Sequence, residues 1–456
     1  MRLHLNQKLM AALFVSSVIL FVEFFGFPGL NLTHSQEITA SILIIAAVLW
    51  ISEWVPLFVV SFLILALEIV WLLPGLKELN AHTANTLFFG AFFSDIILLF
   101  LGGFVLSSLM QKYGLELKFA QAILNRTGGR ANVTLLGIIL ACAFLSMWMS
   151  NTATTAMMLT IVFPLIKRIP TEHPFRIALV LSVPFACNVG GIGTPIGTPP
   201  NAIALSYLAQ KGIHLSFAQW VILTLPFMLF FLFVLWQLLA RLYPAKGLVL
   251  SIENRNTDEF SLKHALALAI FAITALGWFL GKQIGLSTGT VALFPLIACF
   301  WLGLLDTADF RKLPWDILYI ISGGLALGIA LKSSGLDAVI IGTLPANPVT
   351  VVLLSILLTA AMSNLMSHTA TAGLVIPLVV SLDGSAGFIV TLVVSLAVTC
   401  SMAMALPVST PPNAIAFSSQ ALRGKDLILA GSIMSAVGVL TVIIFGRPYW
   451  AAIMGA

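Results

Sequence analysis

The chain has 456 residues, of which 60% are hydrophobic and only 9% are charged, and its net charge is +5. Soluble domains are about a quarter charged, so this composition excludes an ordinary soluble protein, and so small a net charge does not indicate nucleic-acid binding. Apolar runs long enough to cross a bilayer recur from end to end and do not alternate as the strands of an outer-membrane barrel would. The sequence therefore predicts an all-α, polytopic membrane protein.

Polar breaks divide the chain into about eleven transmembrane helices. The first run ends without the small-residue cleavage signature of a signal peptide, so we expect it to be retained as a span. In chain order the predicted spans are 9–27, 36–52, 56–73, 91–110, 177–208, 218–240, 264–281, 288–305, 315–331, 387–419 and 427–446.

The basic residues predict the orientation. If the N-terminus is cytoplasmic, 17 of the 22 lysines and arginines face the cytoplasm. The positive-inside rule favours this arrangement. It places the protein in the cell inner (cytoplasmic) membrane with its C-terminus outside. The basic residues left outside are Lys77, Lys211, Lys282, Lys332 and Arg447.

Two further apolar stretches, 131–166 and 346–382, are too long to be single spans. The first is flanked by Arg130 and Lys167, so both of its ends are expected in the cytoplasm. One helix over 131–166 would be about 54 Å long, against a hydrocarbon core of about 30 Å. A re-entrant helical hairpin resolves the conflict, and we expect the second stretch to repeat the design from the other side of the membrane.

The tip of each predicted hairpin is polar. Ser150-Asn151-Thr152 lies near the middle of the first stretch, and Ser367-His368-Thr369 lies in the second. Polar backbone and side chains at membrane depth cannot face lipid and must be buried in protein or line a wet cavity. The tips are therefore candidate parts of a binding site.

The tips belong to an internal repeat. Three landmarks recur in the same order and at similar offsets, and five predicted crossings separate the start of the first copy from that of the second, so the copies are inverted. Inverted repeats with a site near the midplane are typical of secondary transporters. The landmarks are Gly102-Gly103 before Gly114-Leu115 with Gly323-Gly324 before Gly335-Leu336, the two tips, and Thr198 to Ala204 with Thr410 to Ala416.

The last landmark, T-P-P-N-A-I-A, predicts a broken helix in 177–208 and another in 387–419. Two consecutive prolines remove hydrogen-bond donors and disrupt the preceding helical turn. Unwound backbone at membrane depth would leave free carbonyls, which suit a cation such as Na⁺. The alternative, a proline kink tolerated for packing, explains one motif better than two identical copies.

These parts predict a site for an anion together with cations. The segments 131–166, 177–210, 346–382 and 384–420 contain no Lys, Arg, Asp or Glu. The helix that follows each tip begins there, and its free N–H groups and positive dipole end favour an anion. Burying a dianion without fixed basic residues is costly, so bound cations are needed to neutralise it. The expected function is cation-coupled anion transport.

On these motifs the chain resembles the divalent anion/sodium symporter family, whose dicarboxylate and citrate transporters are called INDY. The resemblance covers nearly the whole chain and implies a homodimer with an ion-transporter-like elevator fold, coupled to Na⁺. It implies a substrate of the succinate, malate, fumarate, citrate or 2-oxoglutarate class. The implied domains are a scaffold, 1–130 and 264–331, and a transport domain, 131–240 and 346–446.

The resemblance also implies the site residues. Substrate contacts fall on the tips and the proline motifs, and each of two sodium sites combines a tip with an unwound segment. The substrate residues are Ser150, Asn151, Thr152, Thr198, Pro199, Ser367, His368, Thr369, Thr410 and Pro411. The sodium residues are Ser146, Ser150, Asn151 and the Gly197 carbonyl for the first site, and Ser363, the Met366 carbonyl, His368 and the Ser409 carbonyl for the second.

His368 departs from the family pattern, in which the second tip is S-N-T. A buried histidine is often only a hydrogen-bonded core residue, but this one replaces a predicted ligand. Neutral histidine still hydrogen-bonds a carboxylate, and protonated histidine carries a charge that could replace one cation. The alternatives are therefore fewer sodium ions, proton dependence or Na⁺-independent exchange.

Other readings are less well supported. A channel lacks a ring-forming filter motif, and an enzyme lacks a convergent acid, base or metal cluster at the tips. Sulfate remains a rival substrate, because one tetrahedral anion could bridge both tips. Asp95 and Glu68 lie close enough to span ends that we expect both to be solvated. Gly102-Gly103 and Gly323-Gly324 are expected to allow bends or close helix packing.

Overall fold

The computed structural model describes residues 2–79, 84–250, 260–343, 347–380, 382, 384–419 and 421–454. Regular structure in these ranges is helical, apart from one isolated bridge between Arg130 and Val249. Eight of the described helices are long and apolar enough to cross a membrane. The predicted all-α, multi-pass membrane architecture is confirmed, while the count of eleven crossings stays a prediction.

The first half of the chain contains twelve α-helices and one π-helical turn, Glu68–Leu72. In order they are α1 Arg2–Phe25, α2 His34–Ser52, α3 Leu57–Leu67, α4 Leu73–Leu79, α5 Thr86–Phe92, α6 Asp95–Lys112, α7 Leu115–Asn125, α8 Ala131–Ser146, α9 Asn151–Lys167, α10 Phe175–Gly191, α11 Pro199–Gln210 and α12 Phe217–Leu242.

The second half contains eleven described α-helices, and that α16 to α22 repeat α6 to α12 stays a prediction. The helices are α13 Leu262–Ile284, α14 Thr288–Trp301, α15 Thr307–Arg311, α16 Trp315–Ser334, α17 Leu336–Thr343, α18 Pro348–Leu365, α19 His368–Val380, α20 Ala386–Met402, α21 Pro411–Ser418, α22 Gly424–Thr441 and α23 Arg447–Met454, with a 3₁₀ turn at Pro407–Ser409 and a π turn at Val442–Gly446.

Both predicted tips are helix breaks. In stretch 131–166, α8 ends at Ser146 and α9 begins at Asn151. In stretch 346–382, α18 ends at Leu365 and α19 begins at His368, while residues 346 and 381 lie outside the described ranges. Serine is favoured immediately before a helix because its hydroxyl accepts a hydrogen bond from an unpaired N–H of the first helical turn.

Both proline motifs also break their helices. Helix α10 ends at Gly191 and α11 begins at Pro199, and the second copy breaks between Met402 and Pro411. Proline is well suited to the first position of a helix, where its missing N–H is not needed and its φ is already helical. The prolines therefore restart each helix after an unwound segment.

Several predicted spans differ in detail. Span 288–305 is the shorter helix α14, because the chain turns at Leu302 to Leu305. Span 91–110 contains a break at Phe93 and Ser94, where Ser94 caps α6. Part of the predicted scaffold 1–130, namely residues 1 and 80–83, lies outside the described ranges.

The glycine pairs allow close helix packing, as predicted. A methyl group on Gly102 would lie 2.7 Å from Cβ of Ala292 on α14, and one on Gly323 would lie 2.4 Å from Oγ of Ser61 on α3. These contacts join α6 to α14 and α16 to α3 at distances that a larger residue would not permit.

The two acids singled out in the sequence behave differently. Asp95 is exposed, as expected, and accepts hydrogen bonds from the hydroxyls of Ser287 and Thr288. The expectation for Glu68 is wrong, because its exposed fraction is 0%. The helix does not end near residue 73 but continues through a π turn into α4, so Glu68 lies in its interior.

A second buried acid lies outside the membrane-spanning segments, on the short amphipathic helix α7. Burial raises the pKa of Glu116 from its ordinary value of 4.5 to about 7. The folded protein then holds a proton that the unfolded chain releases, so this group's contribution to stability is greatest below about pH 4.5 and declines as the pH rises to about 7. We expect Glu116→Gln to raise the melting temperature of the purified protein more at pH 8 than at pH 5. An equal effect at both pH values would contradict the assignment.

Candidate functional site

The first tip is the N-terminus of α9. Ser150 caps the helix, its Oγ accepting a hydrogen bond from the Ala153 N–H at 3.1 Å. Asn151 is half-buried and Thr152 is exposed. The remaining free N–H groups of this first turn point out of the helix end, where a carboxylate or another anion is favoured.

Four polar groups converge behind this tip. Ser146 Oγ donates to the Cys187 carbonyl at 2.9 Å. One terminal atom of the Asn151 amide lies 2.5 Å from Ser146 Oγ, 3.1 Å from the Gly197 oxygen and 3.3 Å from the Cys187 oxygen. Three of the four residues predicted for the first cation site, Ser146, Asn151 and Gly197, are thus brought together, and the Cys187 carbonyl joins them.

This cluster is chemically suited to a hard cation. If the Asn151 nitrogen occupies the shared position, its two N–H groups have three acceptors within reach, the Gly197 and Cys187 carbonyls and Ser146 Oγ. If the amide oxygen occupies it, four oxygens face one another, and a cation relieves their repulsion. Hard cations prefer such carbonyl and hydroxyl oxygens. The donor set therefore fits Na⁺.

The unwound segments are held by the asparagine of each proline motif. Asn201 Nδ2 donates to the carbonyls of Gly191 at 2.9 Å and Thr194 at 2.7 Å. The expectation that the break leaves these carbonyls free is therefore wrong for both. A side-chain amide offers two N–H donors, and the T-P-P-N-A motif places such an amide inside the unwound segment that its prolines create.

The second copy is held in the same way. Asn413 Nδ2 donates to the carbonyls of Met404 at 3.0 Å and Leu406 at 3.2 Å. The two asparagines were visible in T-P-P-N-A, but their role as clamps was not predicted.

Asn188 links the two halves of the site and was missed in the sequence. Its Nδ2 lies 3.3 Å from both Thr410 Oγ1 and Asn413 Oδ1, and its side chain is buried. Thr410 caps α21, its Oγ1 accepting from the Asn413 N–H at 3.2 Å. Thr198, the equivalent N-cap of α11, is also buried.

The second tip is the N-terminus of α19. Ser367 Oγ accepts from the Ala370 N–H at 3.2 Å. Behind it, Ser363 Oγ donates to the Cys400 carbonyl at 3.1 Å, and His368 Nε2 lies 2.6 Å from the Ala403 carbonyl. Because a carbonyl only accepts, the Nε2 nitrogen carries a proton and donates.

Two residues of the predicted second cation set, Ser363 and His368, meet carbonyls at the C-terminal end of α20. The Ser409 hydroxyl donates to the Leu406 carbonyl at 2.6 Å and lies 3.4 Å from Asn413 Nδ2. That the Met366 and Ser409 carbonyls join this site stays a prediction. The Ala403 carbonyl next to His368 already accepts a hydrogen bond, as the Cys187 carbonyl behind the first tip does.

The two halves pack crosswise around the site. Helix α9, which starts at the first tip, packs against α21 of the second proline motif, and α19 packs against α11 of the first. Each tip is therefore placed beside the motif of the other half.

Two cavities are lined by residues near these segments. One of about 470 Å³ reaches Ser150 and Ala153 and is bordered by Lys112, Asp309 and Lys312. A larger one of about 700 Å³ is lined in part by Asp95, His214, Gln210 and Lys282 and by no predicted site residue.

Two S-x-T tips and two clamped unwound helices, in segments without Lys, Arg, Asp or Glu, identify a polytopic helical membrane protein with a candidate site for a small polar or ionic ligand. Residues 47–399 match the family described as citrate transporter. The chain belongs to this family, and the resemblance to the divalent anion/sodium symporters is confirmed.

Three relatives illustrate the similarity. The chain is 29% identical over 462 residues to a sodium-dependent dicarboxylate transporter, SdcS, of Staphylococcus saprophyticus, covering 92% of this chain and 87% of that protein. It is 28% identical over 465 residues to SdcS of Staphylococcus aureus, covering 91% and 88%. It is also 28% identical to an uncharacterized transporter of Schizosaccharomyces pombe over 97% of this chain, which spans only 53% of that longer protein.

Proposed function

We propose that this chain is a secondary active transporter of small di- or tricarboxylates, driven by the sodium gradient. The observation that carries the proposal is the cluster of Ser146, Asn151 and the Gly197 and Cys187 carbonyls behind the first tip, which is built from segments without Lys, Arg, Asp or Glu. Helix N-termini and hydroxyls would hold the carboxylates, and bound Na⁺ would neutralise them. The names of the staphylococcal relatives support both the dicarboxylate and the sodium.

The first cation site is the better candidate. Ser146, Asn151 and the Gly197 and Cys187 carbonyls form its donor set. At the second site the proton on His368 Nε2 already satisfies the Ala403 carbonyl, and a hard cation gains little from an imidazole nitrogen. We infer that His368 takes the place of one cation, so that coupling uses fewer sodium ions than two Asn-containing tips would.

The proposed mechanism is an elevator in a homodimer. The scaffold comprises 1–130 and 264–331, and the moving domain comprises 131–240 and 346–446. The matching order of α6 to α12 and α16 to α22 supports an inverted repeat. The positions of the lysines support the orientation. Three lysines predicted to lie outside are near one another: Lys282 lines the larger cavity together with Gln210, the neighbour of Lys211, and Lys332 Nζ donates to the Gln210 carbonyl. Two lysines predicted to be cytoplasmic, Lys112 and Lys312, border the smaller cavity. The proposed topology puts the N-terminus in the cytoplasm.

Uptake into proteoliposomes tests the proposal. We expect saturable accumulation of radiolabelled succinate or citrate driven by an inward Na⁺ gradient and abolished by Ser150→Ala combined with Ser367→Ala. Na⁺-independent exchange with internal succinate would favour the exchanger alternative, and Na⁺-driven uptake of sulfate but not of dicarboxylates would favour the sulfate alternative. Absence of transport and exchange of every anion would refute all three.

A further inference from the structure

The larger cavity, of about 700 Å³, is lined by segments of both proposed domains. One side consists of the C-terminal part of α11 and the start of α12, including Gln210 and Phe217. The other side consists of residues of α5, α6, α13, α14 and α16. Cavities that bind small organic molecules have volumes of about 300–1,000 Å³ and often lie at domain interfaces. None of the predicted substrate or sodium residues lines this cavity, so it is a candidate for a second site.

Most of the cavity wall is apolar. Phe217 and Trp278 both border the cavity, and their rings are nearly parallel, with centroids 5.5 Å apart. Leu99 and Leu205 add aliphatic surface, one from each proposed domain. Gly90 also lines the cavity, and a methyl group on it would meet no atom within 4 Å. The wall therefore suits the apolar body of a ligand.

The charge of the acid in this wall is offset by groups of the protein. Asp95 accepts hydrogen bonds from the hydroxyls of Ser287 and Thr288. It lies in the first turn of α6 and beside the N-terminus of α14, where a methyl group on Gly289 would be 2.5 Å from its Oδ1. The positive ends of both helix dipoles favour a carboxylate in this position. Asp95 therefore does not require a cationic ligand.

The lysine in the wall has no comparable partner. Lys282 is exposed in the last turn of α13, and among the described residues its ammonium group makes no hydrogen bond and no ion pair. His214 is also exposed and lines the same cavity, and its imidazole can donate a hydrogen bond to an oxygen. Ionic contacts strengthen where a bound ligand excludes water. The polar part of the cavity therefore suits an anionic group.

We propose that this cavity binds an amphipathic monocarboxylate, a small molecule with one carboxylate on an aromatic or aliphatic body. The carboxylate lies beside Lys282 and His214, and the body packs against Phe217 and Trp278. Dicarboxylates and tricarboxylates do not suit this cavity, because one of their charges would be buried against the apolar wall at a high cost. The ligand of this cavity is therefore not the transported anion.

A ligand in this cavity would hold the present arrangement of the two proposed domains. In the function proposed above, on which this step rests, α11 and α12 move relative to α13 and α16. Gln210 Nε2 donates across that boundary to the Leu325 carbonyl at 3.3 Å, and Phe217 stacks on Trp278. A ligand that contacts both sides binds this arrangement more tightly than one in which the sides have separated, and it shifts the population accordingly. It should therefore inhibit transport without competing with succinate.

Calorimetric titration of the purified full chain tests the site itself, whether or not the protein transports succinate. The probes are phenylbutyrate, its uncharged amide and the cation phenylbutylamine, which share one apolar body. We expect the carboxylate to bind most tightly and the amine least tightly. Lys282→Gln should weaken binding of phenylbutyrate about fivefold and leave binding of the amide unchanged.

The control for this titration is Lys77→Gln, which removes an exposed lysine that does not line the cavity and should change the affinity for none of the probes. Equal binding of all three probes, or an unchanged affinity for phenylbutyrate in Lys282→Gln, would overturn the proposal. If the calorimetry shows the site and no anion is transported, the proposed transport function fails while the site stands.

Succinate uptake into proteoliposomes tests the effect on movement. We expect the amphipathic carboxylate to lower the maximal rate of uptake without changing the KM for succinate. Phenylbutyrate is added to the medium and palmitate to the bilayer, and inhibition by either supports the site and identifies the side from which the ligand enters. Gly90→Leu should abolish the inhibition, because leucine occupies the open space beside the glycine. Inhibition by neither compound, inhibition that succinate overcomes, or inhibition that persists in both Gly90→Leu and Lys282→Gln would contradict the proposal.

Discussion

Replacing Asn201 by alanine is expected to abolish transport and to destabilise the protein by about 2–5 kcal/mol. The substitution removes the amide that holds the Gly191 and Thr194 carbonyls. Both groups are buried, and a buried acceptor without a partner retains its full desolvation cost. The unwound segment also carries Gly197, so its collapse would displace a carbonyl of the proposed first cation site. Thermal unfolding and proteoliposome uptake measure the two effects.

Ser206→Ala is the matched control, because it lies on the same helix and loses only a local bond from its hydroxyl to the Ala202 carbonyl. It should leave the melting temperature and uptake close to wild type. Asn413→Ala should resemble Asn201→Ala, since it frees the Met404 and Leu406 carbonyls. Wild-type stability and uptake in Asn201→Ala would show that the clamp is dispensable.

The helix breaks could be predicted because local chemistry causes them. Serine at each tip caps the next helix, and Pro-Pro cannot continue the preceding one, so the breaks before Asn151 and Pro199 follow from a few adjacent residues. The positions of Ser146 and Gly197 also follow from the motifs, once the resemblance assigns them to one site.

The remaining features depend on contacts between distant parts of the chain. Asn188 meets Thr410 across 222 positions, and the crosswise packing of α9 on α21 has no local signal. Glu68 was misread because nothing adjacent marks a π turn, and a helix extended by one turn changes a solvated acid into a buried one. Sequence reasoning is weakest where the continuation of a helix, rather than its composition, decides burial.

Replacing His368 by asparagine is expected to increase the number of sodium ions coupled to transport by about one. Asparagine gives the second tip the S-N-T sequence that the first tip has. It also replaces the imidazole N–H that is directed at the Ala403 carbonyl by an amide whose oxygen can bind a cation. The freed Ala403 carbonyl would join it as a further oxygen. Sodium activation of succinate uptake, measured as the Hill coefficient in proteoliposomes at several pH values, should become steeper.

The reciprocal variant, Asn151→His, supplies the control, because it places the same side chain at the first tip. Its Nε2–H would donate into the cluster formed by Ser146 and the Cys187 and Gly197 carbonyls, and the cation that we propose binds there would be lost. Sodium activation of succinate uptake should then weaken. Succinate binding, measured by thermal shift, should decrease less. If His368→Asn leaves both the sodium stoichiometry and the pH dependence unchanged, the histidine does not replace a cation, and its bond to Ala403 serves only to pack the second tip.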